Sequence, residues 1–330
     1  MSQNVLVVYQ SSPMRTLAIC GVVETELERL NAKLETLEKE EARFLTDLAK
    51  RLIEHIRQSM KEQEKSLATL RHEAEAAQAH DEKTSPKQKK DLMQRSNELK
   101  AQNRTLRHET FYTVKDWVLG DLTAQVKPKN SEFALSDAQL ESINTIEDAL
   151  LRETVYDLWH DTPEATFEHI CDKAREQLNT NTQRAMQNHG EEIVQDTLET
   201  TKRLGDKESI KALNQEEGLD AFRTRAEKAL EDASVRKQTQ KAIVQIMQDL
   251  GFSVKKKNIK RRKNYVYILA RKDGGAYAEF NLFSDERFLY AFKSEEQDLN
   301  KESRLFREKL ETVYDVDVES ETVTSVGIRP

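Results

Sequence analysis

A chain of 330 residues has room for two or three domains, but 34% charged against 37% hydrophobic residues, with 9 Gly and 5 Pro, points to long solvated helices. The formal net charge of −7 argues against coating of nucleic acid by the surface as a whole. Two cysteines, Cys20 and Cys171, are too few for a disulfide framework and too far apart for a metal-binding pair, so a reducing, cytoplasmic setting is expected.

Residues 1–21 contain the apolar run Val5 to Tyr9, which no basic region precedes and which Gln10-Ser-Ser-Pro13 follows. That pattern fits neither a signal peptide nor a membrane span, and no membrane association is expected. A strand or extended arm packed on the protein itself is the natural reading. A second apolar patch, Leu17 to Val23, leads into the next segment.

Residues 22–126 read as an antiparallel coiled-coil hairpin with its tip near 80–86. Val23, Leu27, Leu30, Leu34 and Leu37 alternate by four and three, as the seam of a left-handed coiled coil does. Phe44, Leu48, Leu52, Ile56 and Met60 then step by four, the drift of a stutter, and Glu41 interrupts the seam between the two regimes. Leu67, Leu70, Ala74 and Ala77 resume it. Read as one helix, Val23 to Ala79 spans about 85 Å at 1.5 Å per residue. After the loop-like His80 to Pro86, Leu92, Leu99 and Leu106 fall at sevenfold spacing and Val114, Trp117 and Val118 follow. Folding about residue 83 sets Leu106 near Met60, Val114 near Leu52 and Leu122 near Phe44. The return helix then ends before it covers Val23, Leu27, Leu30, Leu34 and Leu37. These five are assigned to a helix-partner or oligomer interface, met by a later helix of the chain or by a second subunit of a homodimer.

Lys127-Pro-Lys-Asn130 breaks the return helix, and residues 131–250 read as a helical region. Ser136 with Gln139 forms a capping box ahead of Leu140, Ile143, Ile146, Leu150 and Leu151, and that pattern runs on to Trp159. Asp161-Thr-Pro163 signals another helix start, with Phe167, Ile170, Cys171, Ala174 and Leu178 on its buried face. Ile193, Val194, Leu198 and Leu204 mark a further helix, Asp206 caps a short one with Ile210 and Leu213, and a long helix from Leu219 ends at Gly251. The fold class expected from these patterns is mainly α, a coiled-coil hairpin plus a helical bundle, with a small C-terminal α+β domain.

That domain, residues 251–330, is announced by aromatic content. Of the 21 Phe, Trp and Tyr residues, nine lie between Phe252 and Phe292. Tyr265 to Ala270 reads as a central strand, Asp273-Gly-Gly275 as a hairpin turn, and Ala276 to Leu282 and Phe288 to Phe292 as alternating strands. A helix with Leu299, Phe306, Leu310 and Val313 follows, and Val316 to Ile328 alternates again. An antiparallel sheet covered by one or two helices accounts for all of it.

The most distinctive chemical feature is a basic hairpin. Lys255, Lys256, Lys257, Lys260, Arg261, Arg262, Lys263, Arg271 and Lys272 occur between Phe252 and Lys272 with no acidic residue among them. Such a cluster suits a nucleic-acid backbone or an acidic protein partner, and equally a solvated edge that deters strand pairing. No phosphate-binding glycine loop is present, and no cofactor or metal site is expected. His169 and Cys171, two apart on a helix, face different ways. Asp273 and Glu279 lack the lysine two residues on that a metal-dependent nuclease wants. The composite expectation is a non-enzymatic coiled-coil interaction or scaffold protein, a subunit of a larger assembly docking through its C-terminal domain. The alternative is a nucleic-acid-binding accessory protein that uses the basic hairpin.

Overall fold

A computed structural model describes residues 4–8, 12–41, 47–79, 85–124, 135–204, 219–262, 265–283, 287–294, 299–314, 316 and 321–323. In chain order the elements are β1 (Asn4–Val8), α1 (Ser12–Glu41), α2 (Asp47–Ala79), α3 (Pro86–Arg104), a π-helical segment (Thr105–Thr110) and α4 (Phe111–Ala124). Then come α5 (Asp137–Asn144), α6 (Ala149–Asp161), α7 (Phe167–Asn188), α8 (Gly190–Leu204) and α9 (Leu219–Asp249). The last part holds β2 (Ile259–Arg261), β3 (Tyr265–Arg271), β4 (Tyr277–Phe283), β5 (Arg287–Lys293), α10 (Asn300–Thr312) and β6 (Glu321–Val323). The chain is mainly α with an antiparallel sheet near its C-terminus. It divides into two compact units, one of Met1–Thr25, Lys65–Lys100 and Val194–Pro330, the other of Glu26–Glu64 and Ala101–Ile193.

The first unit carries the sheet, ordered β2-β3-β4-β5-β1-β6 and antiparallel throughout. The N-terminal run, expected as a strand or an extended arm, is a strand: β1 lies between β5 and β6, Val7 opposite Phe288 and Leu6 opposite Glu321. Period-two alternation puts Ile268, Ala278, Phe280, Phe288, Tyr290 and Phe292 on one face. They are buried with Ile243, Ile246 and Met247 of α9 and Phe306 and Leu310 of α10. Aromatic edges fill this layer, with Phe280, Tyr290 and Phe292 all within 5.8 Å of the Phe306 ring. Gly251 ends α9 in the left-handed region at φ 83°, and the amides of Gly251 and Phe252 donate to Gln248 and Met247 as a Schellman cap requires. The Asp273-Gly-Gly275 turn places both glycines at positive φ, which suits the tight return into β4.

Ion pairs in both units correct the reading of Val23 to Ala79 as one helix. In the second unit Arg57 Nη2 lies 2.5 Å from Glu38 Oε2, although 19 residues of continuous helix would hold them about 28 Å apart. The chain therefore reverses between them. In the first unit Arg71 Nη2 meets Glu24 Oε2 at 2.8 Å across 47 residues, so α1 and α2 lie side by side there too. What reads as a stutter from four-three to four-four spacing is a boundary between two helices. Residues 42–46, Phe44 included, lie outside the described residues.

The same reversal explains what covers the start of the seam. Val23, Leu27, Leu30, Leu34 and Leu37 are all buried within the single chain, none above 7% exposed. Their cover lies within the chain, the first of the two alternatives that the seam leaves open. The α2–α3 turn is the hairpin expected: Arg95 Nη1 reaches Glu73 Oε2 at 2.5 Å, pairing residues equidistant from position 84. Leu92, Leu99, Leu106 and Met60 are buried.

Further on, Ser136 and Gln139 form the expected capping box at α5. α7 starts later than Pro163 suggests. Thr162 closes α6 through its amide to Leu158 O, Pro163 stays in the turn, and the Thr166 hydroxyl caps α7 by accepting from the His169 amide at 3.4 Å. Trp159 Nε1 donates to Ala165 O at 3.0 Å and fixes that turn. Its ring joins Ile143, Val155, Ile170, Cys171 and Ala174 in a core of the second unit. The Lys127–Asn130 break and the short helix at Asp206 lie outside the described residues.

Three carboxylates are held below the usual range by cations. Arg71 lowers Glu24, and Lys309 with Gln245 lowers Asp249. Burial pushes Glu192 up, but Lys115, Lys33 and His189 outweigh it. A carboxyl lowered in the folded state adds stability that is complete above its unfolded value and lost as pH falls through its folded one. The melting temperature is thus expected to be level from about pH 5 to 7 and to drop below about pH 4. A melting temperature constant down to about pH 2 would contradict these pairings.

Candidate nucleic-acid interface

The basic residues are gathered at one end of the sheet. Among the described residues β2 is an edge strand, paired only with β3, and a 3-10 turn at Lys256–Asn258 leads into it. Lys255, Lys256, Lys257, Lys260, Arg261, Arg262 and Arg271 are exposed, and Lys263 lies outside the described residues. The short β2 strand holds Ile259 opposite Ile268 on the core side, so Lys260 falls opposite Tyr267 on the other face. Ser253 pairs with Arg271 through two backbone hydrogen bonds of 2.6 and 3.0 Å, which ties the chain entering the basic turn to the far end of β3.

Lys272 is engaged within the fold. Its ammonium donates to Glu302 Oε1 at 3.1 Å and sits 5.3 Å from the Phe252 ring centroid, clamping the β3–β4 turn to α10. Among the described residues, no acidic side chain lies within ion-pairing distance of the other seven cations. Several uncompensated charges on one edge make a surface that attracts polyanions by counterion release. No helix among the described residues is long and apolar enough to cross a membrane.

No protein-family model matches the chain, nor does any curated protein or solved structure. The reading of this surface therefore rests on its own chemistry.

The second unit holds polar clusters that seam periodicity alone does not reveal. Glu26 of α1 accepts from Asn103 Nδ2 at 2.5 Å and is ion-paired with Arg107 of the π-helical segment. Arg107 Nη2 also donates to His108 Nε2 at 2.8 Å, so that nitrogen carries a lone pair. All four are buried. A π-helical turn widens the helix by one residue, and such turns recur at functional positions. Here the groups engage one another, although Asn103 Oδ1 and Arg107 Nε meet no hydrogen-bond partner among the described residues. A second cluster joins α4 to α7 and α8: His189 Nε2 lies 2.6 Å from Asp116 Oδ1, its ring stacks on Tyr112, and Lys115 Nζ donates to Glu192 Oε2 at 2.7 Å. Lys33 Nζ donates to the Tyr112 hydroxyl at 3.0 Å.

A clue to Asn103 stands in the sequence. Between Leu92, Leu99 and Leu106, the seam positions four residues on are Ser96 and Asn103, both fully buried polar residues.

The other chemical candidates are dispersed. Cys171 is buried while His169, on the same helix, is exposed. Burial pushes the Cys20 thiol up to about 11, and it lies 4.0 Å from Leu67 O, so it stays protonated near neutrality. Asp273 is exposed in its turn, Glu279 is engaged by Tyr267 and Lys293, and no group of His, Cys, Asp or Glu among the described residues is arranged to hold a metal.

Proposed function

We propose that this protein is a nucleic-acid-binding accessory protein that contacts the phosphate backbone through the edge formed by residues 255–271. The carrying observation is that seven exposed cations share that edge with no acidic neighbour among the described residues, in a chain of net charge −7. Deterring strand pairing accounts for charge on β2 itself, whereas Lys255, Lys256, Lys257, Arg262 and Arg271 lie outside that strand. Backbone contact reads no bases, so the binding is sequence-tolerant.

Titration of the full chain with labelled duplex DNA across a salt series tests the reading. With about four phosphates neutralised, log K falls against log salt with a slope of about −3.6. Absence of binding at low salt, or affinity indifferent to salt, contradicts it.

A protein-interaction role, with the helical hairpin as scaffold and the C-terminal domain as docking module, is the second reading. An acidic protein partner would use the same cationic edge. Two buried cysteines accord with a cytoplasmic place of action in either case.

A further inference from the structure

The sheet has a second face. α9 and α10 cover one side of β3, β4 and β5, whereas of the residues that alternate with the core Tyr265, Tyr267, Tyr277 and Phe283 are half-buried, Arg271 is exposed and Ala291 is buried. The register fixes their layout. Tyr265 stands opposite Phe283, Lys260 opposite Tyr267, and Tyr277 lies between Arg271 and Lys293. The Tyr265 and Phe283 rings are 5.8 Å apart at 51°. Successive residues on one face are about 6.7 Å apart along a strand, so the rings form rows across it.

Charge on this face is arranged around those rings. Glu279 is its acidic member among β2 to β5, and it is neutralised in place. Lys293 Nζ donates to Glu279 Oε2 at 2.5 Å and sits 5.7 Å from the Tyr277 ring centroid, while the Tyr267 hydroxyl donates to Glu279 Oε1 at 2.8 Å. Burial, then the hydrogen bond to Glu279, pushes the Tyr267 phenol up, which keeps it a donor. Lys260 and Arg271 continue the face into the cationic edge.

We infer that this open face is a stacking platform for single-stranded nucleic acid, with Tyr265, Tyr277 and Phe283 receiving bases while the cationic edge tracks the backbone. The inference rests on the backbone-binding reading above and adds to it the class of ligand. Charge complementarity favours this occupant over an apolar protein segment. A duplex presents phosphates but no base faces, and only an unpaired strand can use both the rings and the cations.

The test compares a 20-nucleotide oligo-dT, the matching duplex and poly-glutamate on the full chain at one salt concentration. Oligo-dT is expected to bind more tightly than the other two. Y265S, Y277S and F283S, each checked for unchanged circular dichroism, are each expected to weaken oligo-dT about fivefold or more and to leave duplex affinity unchanged. A bromodeoxyuridine oligonucleotide irradiated on the unaltered protein is expected to crosslink to one of these three rings, which bypasses any folding defect of the variants. Duplex binding equal to oligo-dT, with crosslinks confined to residues 255–262, overturns the platform and leaves the backbone reading standing. Poly-glutamate binding as tightly as oligo-dT overturns both in favour of an acidic protein partner, and binding of none of the three overturns both outright.

Discussion

Replacing Glu26 with alanine is expected to cost about 3–5 kcal/mol of folding stability, far more than a surface ion pair is worth. Glu26 and Arg107 are 7% and 5% exposed, so the loss leaves a guanidinium out of water without its counter-ion. Asn103 loses its acceptor in the same step, since its Nδ2 donates to Glu26 Oε2. The remaining neighbour, His108, offers Arg107 a nitrogen lone pair rather than a charge. Removing both charges with Glu26→Leu and Arg107→Met is expected to recover the part of the loss due to the unpaired guanidinium, because an apolar pair of similar volume carries no desolvation cost, while Asn103 still lacks its acceptor. Urea denaturation of the unaltered chain and of these two variants measures this. A loss below about 1 kcal/mol for Glu26→Ala would mean that water reaches the pair.

Leu30→Asp combined with Leu34→Asp is expected to unfold the second unit rather than to split a folded dimer. Both leucines are within 1% of complete burial in the single chain, and each substitution removes about 2–5 kcal/mol of packing before the buried carboxylates are counted. Helical circular dichroism should fall and proteolysis within residues 26–64 should accelerate. Light scattering of the unaltered chain should give the mass of one copy. A variant that keeps its helicity while the mass halves would restore the seam as a subunit interface.

Much of the architecture was legible because it rests on periodicity. The alternation of Ala276 to Leu282 and Phe288 to Phe292, the glycines of the β3–β4 turn and the Gly251 cap are local signals that the structure keeps. The reversal between α1 and α2 was not legible. No proline or glycine stands between Leu37 and Leu48, and a change from four-three to four-four spacing is produced equally by a supercoil adjusting and by a new helix beginning. For Val23 to Leu37 the sequence left a later helix of the chain and a second subunit both open, and could not choose between them without that reversal. Of the site, the cationic edge is contiguous in sequence and needed only counting. Lys272 could not be separated from it without knowing that Glu302, 30 residues away, sits within 3.1 Å. The Glu26 cluster draws on two segments 77 residues apart, and only Asn103 at a seam position hinted at it.

The most direct measurement sets the unaltered chain beside a variant carrying Lys255→Gln, Lys256→Gln, Lys257→Gln, Lys260→Gln, Arg261→Gln and Arg262→Gln, titrating both with labelled DNA at about 50 and 200 mM salt. The unaltered chain is expected to bind at the lower salt and to lose about two orders of magnitude in affinity at the higher, while the variant, with an unchanged melting temperature, shows no binding at either. Equal affinity of the two proteins would contradict a nucleic-acid interface on this edge of the sheet.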